Sequence, residues 1–441
     1  MYNHEEEKLV EYKGKYDDLS IPSERLDEQI LYGFQRAKSE EKQRQKSRNR
    51  KVFSIVAAAV LLLGFFTTIR VSPTFAHYIT IIPGMEKLVE LIQDDKGRML
   101  AVENEYYQEI GVSDEAAGLT VTIDGAIADE QGLVLFYTLE SEEERKELFI
   151  DRPQLTSQDG RKLDLGTISA GGPHYSETGE KSFSGTVEYF FQTPYEAKEF
   201  ELGLQVSGEG DKWSFNLPFS IEEELAKKKT YDINKTVKIE GQAIEFIEAT
   251  VYPLRVAVHV KMDGENTKKL LEFEDLRLVD ENGESWTKIS NGTTASHISD
   301  NEKIIYLQSN YFKEPEELHL VFNKIQAVDK DEAYVVVDLK KEEILKQPAG
   351  ERLSYLRVED NQVIFRFQTE EEFHYFLFGP IRDVNGEELE SPSSFHTGPD
   401  LNGVEEFGVG IPNLSSAKGP ISLELSFYPS WIEGEGKVRI K

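Results

Sequence analysis

The pattern of apolar and polar positions begins with a polar stretch, residues 1–19, and then turns helical. Over residues 22–47 the apolar positions are separated by four, four and three residues, so they fall on one face of a helix. Pro22 suits a first helical position and Glu24 puts negative charge in the first turn. The apolar positions are Leu26, Ile30, Phe34 and Ala37. The sequence therefore predicts an amphipathic helix with one narrow apolar stripe.

This stripe requires a partner. A single amphipathic helix has no core of its own, and isolated helices of this length are marginal in water. The partner is another protein, a second copy of the chain or a membrane surface. The alternative is a juxtamembrane helix with incidental apolar residues.

Residues 52–69, VFSIVAAAVLLLGFFTTI, carry no charge, and their only hydroxyl groups are those of Ser54, Thr67 and Thr68. At about 1.5 Å per residue the run is about 27 Å long, close to the thickness of a bilayer core. Lysines and arginines crowd residues 42–51, whereas Arg70 stands alone on the other side. Positive flanks stay in the cytoplasm. We therefore expect a single-pass protein of the cell membrane. Segment 1–51 is then cytoplasmic, residues 52–69 form the transmembrane helix, and the C-terminal bulk of the chain is extracellular.

A cleaved signal peptide is the rival interpretation of this run, since Thr74 and Ala76 resemble a cleavage site. The 51 preceding residues are too many for a secretory leader, which favours an uncleaved signal anchor. A core helix is the other alternative, but such helices are usually shorter or have a polar face.

A juxtamembrane helical segment is expected over residues 70–118. Residues 85–92 have the spacing of a short amphipathic helix, and Gly97 is a candidate for its left-handed cap. A second helix or turn is expected over residues 98–109. Residues 111–118 are polar and predict a linker.

From Leu119 the period becomes two, which is typical of β-strands. An opening strand pair, an acidic turn ending in glycine and a late alternating strand recur three times. The turns end at Gly160, Gly283 and Gly386. We therefore predict three related β modules over residues 119–225, 231–345 and 352–441. Their size and turn spacing fit immunoglobulin-like β-sandwiches, and the fold class is mainly β.

Charge is unevenly distributed along the chain. The net charge is −31, yet residues 1–51 hold 12 lysines and arginines against 11 acidic residues. Arg70 adds one positive charge, so residues 71–441 contribute −33. This acidity argues against direct binding of nucleic acid, which requires a basic surface. Solubility explains it most simply, and attraction of cations or a polycationic partner is the alternative. Cysteine is absent, which excludes disulfides, thiol catalysis and cysteine-bound metals.

Candidate chemistry is sparse. We find no GxSxG, HExxH or phosphate-binding glycine loop, and no two of the eight histidines lie within ten residues of each other. Asp280, Glu281 and Asn282 are oxygen ligands of the kind that calcium prefers, but their spacing is not that of an EF-hand loop. An Asn-Gly sequence is also a strong hairpin signal, which is the preferred interpretation. We expect no enzyme, no metal and no cofactor.

Three stretches carry a family resemblance: IPSERLDEQILYGFQRAKSEEKQRQKSRNRK, SPTFAHYITIIPGMEKLVELI and GLTVTIDGAIADEQGLVLFYTLES. They resemble single-pass membrane proteins of Gram-positive, spore-forming bacteria whose outer domains have no known function. Such proteins are commonly encoded beside extracytoplasmic-function sigma factors and are regarded as candidate anti-sigma factors. The resemblance covers residues 20–140, and the later β modules resemble the family's C-terminal extension more loosely.

The resemblance implies that the inner helix holds a sigma factor through Leu26, Ile30, Phe34 and Ala37. It also implies that the outer modules sense the envelope and that release follows cleavage or a conformational change. The exposed tether 71–83 is then a candidate cut site. The inner segment lacks the histidine–cysteine zinc motif of many anti-sigma domains. The leading rival is an adhesive or structural surface protein whose modules bind wall polymer or another protein. Nothing in the sequence supports a wall hydrolase.

Overall fold

The computed structural model describes residues 13, 85–171, 174–222, 224–289, 294–369, 373–399, 403–412, 414, 417 and 419–441. Two helices, α1 (Met85–Ile92) and α2 (Lys96–Glu103), come first, and strands follow to the end of the described chain. The prediction of a mainly β fold is confirmed. Within the described residues no helix is both long and apolar enough to cross a membrane. The predicted span 52–69 lies outside them.

The first core is formed by two layers of strands that share one long strand. These strands are β1 (Gln108–Ala116), β2 (Leu119–Asp129), β3 (Gly132–Ile150), β4 (Gln154–Ser157), β5 (Leu165–Ala170), β6 (His174–Phe191), β7 (Glu199–Gly208) and β8 (Asp211–Ser220). One layer has the order β1-β2-β3-β6-β5, and in the other β7 pairs with β4 and β8. The end of β3 pairs with β7, so this strand passes from one layer to the other. Alternate residues of β2, β7 and β8 are buried between the layers, as a period of two requires.

The second core lies between two further sheets. Their strands include β9 (Lys229–Ile239), β10 (Gln242–Val251), β11 (Arg255–Met262), β12 (Lys268–Phe273), β13 (Arg277–Asp280), β14 (Ser285–Trp286), β15 (Ala295–Ser299), β16 (Glu302–Gln308) and β17 (Leu318–Asp329). One sheet has the order β15-β16-β11-β10-β9 and the other β12-β17-β13-β14. Trp286 and Phe322 are fully buried where the two sheets face each other.

The third core follows a short 3₁₀ turn at Lys330–Glu332. Its strands are β18 (Tyr334–Asp338), β19 (Glu343–Lys346), β20 (Leu353–Glu359), β21 (Gln362–Gln368), β22 (Phe378–Arg382), β23 (Glu388–Leu389), β24 (Ser393–His396), β25 (Val404–Gly410) and β26 (Ile421–Leu425). They form the sheets β19-β18-β26-β22-β23 and β20-β21-β25-β24.

The last strand, β27 (Trp431–Arg439), returns to the second core. It pairs antiparallel with β17, from His319 opposite Arg439 to Gln326 opposite Trp431. Its inward side chains Ile432 and Val438 are buried in the second core. The third core is therefore inserted in the chain between two neighbouring strands of the second.

The predicted boundaries 231–345 and 352–441 differ from this arrangement at two places. Strands β18 and β19 fall within the first range but belong to a sheet of the third core, where Val335 and Val337 are buried. Strand β27 falls within the second range but completes the second core. In both cases a strand belongs to the core that buries its apolar side chains. The spacing of apolar residues within a strand does not indicate which core that is.

Two local predictions in the segment 70–118 were wrong. Residues 111–118, expected as a linker, supply most of β1, because a bulge between Glu109 and Val112 lets the strand continue past Gly111 along β2. Gly97 does not cap α1 but lies inside α2. The cap residue is Asp95, whose side chain accepts hydrogen bonds from the N–H groups of Gly97 and Arg98.

The closure of the second core by β27 makes a testable prediction. Replacing Ile432 by alanine should destabilise the second core by about 2–5 kcal/mol, the usual cost of removing a fully buried Ile side chain. The chain has three tryptophans. In a Trp213→Phe background the two remaining tryptophans, Trp286 and Trp431, both lie in strands of the second core, so the fluorescence reports denaturant unfolding of that core.

The matched control is Ile298→Ala, because Ile298 lies in β15 of the same core and is 53% exposed. It should change the free energy of this fluorescence-detected transition by less than about 0.5 kcal/mol. Equal effects of the two substitutions would show that the second core does not depend on β27.

Candidate functional site

The four residues of the predicted stripe, Leu26, Ile30, Phe34 and Ala37, lie outside the described residues, and so does the tether 71–83. Their proposed role stays a prediction. The described part of the chain contains two further features that bear on function: the acidic turns and the contacts of the helical pair α1–α2.

The acidic turns have one shared geometry. In each, the glycine N–H donates to the carbonyl three residues earlier: Gly160 to Ser157 at 3.2 Å, Gly283 to Asp280 at 3.1 Å and Gly386 to Asp383 at 2.9 Å. The glycines have φ of 77°, 80° and 81°, which a side chain would disfavour.

The carboxylates of two of these turns are used locally. Asp280 Oδ1 accepts the N–H groups of Asn282 at 2.9 Å and Glu284 at 2.8 Å. Asp383 Oδ1 makes the equivalent pair of bonds at 2.8 and 3.0 Å. Among the described residues no group of three or more His, Asp or Glu is placed to hold a metal ion. The geometry therefore agrees with hairpin turns.

The helical pair forms a small core of its own with both of its neighbours. Leu88 and Ile92 of α1 and Ala101 and Val102 of α2 are buried. They pack on outward-facing side chains of the first core's strands and on one residue of the second core's β10–β11 connection. Those partners are Ile127, Val134, Phe136 and Leu254.

Polar contacts join α2 to the first core. The guanidinium of Arg98 is buried, with Nη2 2.7 Å from Glu188 Oε2 in β6 and Nε 3.2 Å from Asp95 Oδ2. Burial alone lowers the pKa of Arg98, but the two carboxylates outweigh it and the pKa stands above its ordinary value. Burial raises the pKa of Asp95 against the opposing effect of Arg98. An unpaired charge here would be costly, so these three groups hold each other in place.

A second set of contacts joins α2 to the second core. The Nε2 of Gln308 donates to the carbonyl of Asp94 at 2.9 Å, and Lys96 Nζ donates to the carbonyl of Ser285 at 2.8 Å. Gly97 lies so close to the backbone of Ser309 that a Cβ would stand 2.6 Å from its nitrogen. The two cores therefore hold α2 from two sides.

The first and second cores also contact each other directly beside the helices. Asp129 is fully buried at the end of β2 and accepts the N–H groups of Gln131 at 2.9 Å and Leu254 at 3.1 Å. Arg255 Nη2 donates to the carbonyl of Gln131 at 2.7 Å, and its guanidinium lies 4.0 Å from the ring centre of Phe190. Burial raises the pKa of Asp129 and lowers that of Arg255, and the opposite charges of the pair oppose both shifts.

Two family models match parts of the chain. Residues 45–141 match a domain of unknown function (DUF4179), and residues 228–346 match a family of unknown function (DUF5643). The first match includes the predicted span, both helices and the strands β1 and β2. The second ends with β19, so it includes the two strands that lie in the third core.

Comparison with solved structures finds a conserved domain protein from Bacillus anthracis. The two sequences are 18% identical, and the match covers 58% of this chain and 90% of the Bacillus anthracis chain with a TM-score of 0.39. No protein with a curated description matches.

The contact between Gly97 and Ser309 makes the second testable prediction. Alanine favours a helix over glycine by about 1 kcal/mol, so Gly97→Ala should strengthen α2 taken alone. In the full chain its Cβ would collide with backbone, and the substitution should cost about 1–3 kcal/mol of stability. The measurement is the free energy of unfolding of the full chain in denaturant.

Gly264→Ala is the matched control, since a Cβ there meets nothing within 4 Å. Its effect should stay within about 1 kcal/mol in either direction. A gain in stability from Gly97→Ala would contradict the close seating of α2 against the second core.

Proposed function

We propose that this chain is a single-pass membrane regulator that acts as an anti-sigma factor. Its inner helix binds an extracytoplasmic-function sigma factor through Leu26, Ile30, Phe34 and Ala37. Its outer part, three modules of immunoglobulin-like β-sandwich type, senses or binds envelope components. The proposal assigns it no catalysis.

The observation that carries the proposal is the position of the helical pair. Helices α1 and α2 follow the predicted span in the chain, and both the first and the second core grip them. A change in how the two cores meet would therefore move the part of the outer chain next to the predicted span. A protein that only anchors an adhesive domain has no need of such a connection.

The sequence and the family match add support. The match to the domain of unknown function covers residues 45–141, which extends from the basic flank to β3. The predicted span and the helical pair therefore belong to one recurring unit. The resemblance to candidate anti-sigma factors covers residues 20–140, so it overlaps this match but also includes the inner stretch 21–51.

The test uses the full chain with an affinity tag, expressed in its native host and isolated from the membrane. We expect a sigma factor to co-purify with the unaltered chain. Ile30→Asp with Phe34→Asp should abolish this, because two charges in an apolar stripe cannot be buried without a large cost.

Gln35→Asp with Ser39→Asp is the matched control. At 100° per residue these positions fall on the opposite face of the predicted helix, so the same two charges should leave co-purification intact. If no sigma factor is recovered, or if both double variants bind it equally, the anti-sigma proposal fails and an adhesive role replaces it.

A further inference from the structure

In the first core, the outer face of the sheet β1-β2-β3-β6-β5 is only half covered by α1 and α2. At one end, Ile127, Val134 and Phe136 pack beneath α1 and α2. Toward the other end the outward side chains become polar, and they are half-buried or exposed. These side chains are Thr122, Asp124, Thr138, Glu140 and Ser184.

A cleft of about 540 Å³ lies at the boundary between the two halves. Lys87 and Leu91 of α1 form one wall, Tyr107 and Glu109 another, and the polar side chains form the floor. This volume lies within the range of sites that bind small molecules or a few residues of a peptide. The cleft is therefore large enough for a ligand and adjoins α1 directly.

A β-bulge directs an acidic side chain into the cleft. In β2, Ile123 lies opposite Tyr137 and Gly125 lies opposite Phe136, so Asp124 is the extra residue. Its carboxylate accepts a hydrogen bond from Thr138 Oγ1 at 2.8 Å. The bulge also puts Gly125 beneath the ring of Tyr107, where a Cβ would be 2.4 Å from the ring. The positions of the Tyr107 wall and of the acidic floor thus both depend on this one β-bulge.

The charge of the lining is negative. Of the described residues in the lining, Glu109, Asp124 and Glu140 contribute three carboxylates and Lys87 contributes the one cation. The Nζ of Lys87 donates to Ser182 Oγ at 2.7 Å rather than forming an ion pair in the described structure. Burial raises the pKa of Asp124, and the Thr138 hydroxyl and Lys87 offset this only in part. A cation brought into the cleft would stabilise the ionised carboxylate.

We propose that this cleft binds a peptide segment that carries lysine or arginine beside apolar side chains. The carboxylates attract the cation, Leu91 and Tyr107 offer apolar contact, and the hydroxyl groups of the floor can bond to peptide groups. The proposal deepens the proposed function by naming the ligand class of the outer part.

The test measures binding of a synthetic peptide of alternating lysine and leucine to the full chain. The chain is held in nanodiscs of phosphatidylcholine, and empty nanodiscs serve as the blank. We expect binding that weakens with added salt. Asp124→Asn with Glu140→Gln should weaken it by about 2- to 5-fold for each charge removed, the range expected of exposed ion pairs. Asparagine keeps the acceptor for Thr138.

Lys87→Gln is the informative variant, because it removes the only positive charge among the described residues of the lining and should tighten binding. A variant that merely misfolded would not do so. Glu144→Gln is the control: this residue is exposed on β3 outside the cleft, and its replacement should leave the affinity unchanged.

Three outcomes would overturn the proposal: no binding, equal weakening by the Glu144 control, or equal affinity for an alternating serine–leucine peptide. The last would assign the cleft to uncharged ligands. The chain with Ile30→Asp and Phe34→Asp should still bind the peptide. Failure of the cleft and failure of sigma-factor binding are therefore separate results.

Discussion

The pairing of β27 with β17 constrains the second and third cores together. The second core buries Ile432 and Val438 only after the chain has run through the whole third core. Contacts this distant in sequence cost loop-closure entropy before they return any burial, and they fold slowly. Neither core is a unit that can be cut out of the chain at one boundary.

Polar groups at the crossing make this closure specific. Glu274 accepts hydrogen bonds from Gln326 Nε2 of β17 at 2.6 Å and from Trp431 Nε1 of β27 at 3.1 Å. It also accepts one from the hydroxyl of Tyr375, in the third core, at 3.1 Å. A single carboxylate thus joins the strand that leaves, the strand that returns and the inserted core. Apolar contacts alone would tolerate a shifted register, whereas this set of directional bonds does not.

The same principle operates where α2 meets the first two cores. The contact surface of α2 combines a backbone contact at Gly97 with the buried guanidinium of Arg98, which lies between the half-buried carboxylates of Asp95 and Glu188. Moving α2 away from the first core would cost free energy, because it would leave the half-buried carboxylate of Glu188 without Arg98. A connection of this kind couples α2 to a rotation of one core against the other more rigidly than an interface of apolar contacts alone would.

The sequence predicted much of the secondary structure, since strict alternation in strands such as β7 and β8 records one buried face. It did not predict which core each strand joins, because β18 and β27 have the same alternation wherever they pack. The sequence predicted a second helix or turn over residues 98–109, but it wrongly placed Gly97 outside this helix, for a related reason. In a local sequence pattern, a glycine predicts the end of a helix. Here glycine is required because the backbone of Ser309, more than two hundred residues away in the chain, lies against it.

The candidate cleft was equally hidden from sequence reasoning. Thr122, Thr138 and Glu140 are ordinary outward residues of strands, and Asp124 has a distinct role only because a bulge changes the alternation at that point. The one signal within reach was the Asp-Gly pair at 124–125. In a strand pattern, glycine often marks a bulge or a close approach of another group, and Tyr107 is that group.

The position of the cleft decides what a ligand there can do. A ligand shifts a conformational equilibrium only by the difference in its affinity for the two states. Lys87 and Leu91 belong to α1, while Asp124 and Glu140 belong to the sheet on which α1 rests. A cationic ligand that contacts both Leu91 and the two carboxylates would bind most tightly at one distance between the helix and the sheet. Its positive charge would repel Lys87. Such a ligand would favour one position of α1 against the sheet, and α1 is the first described helix after the predicted span.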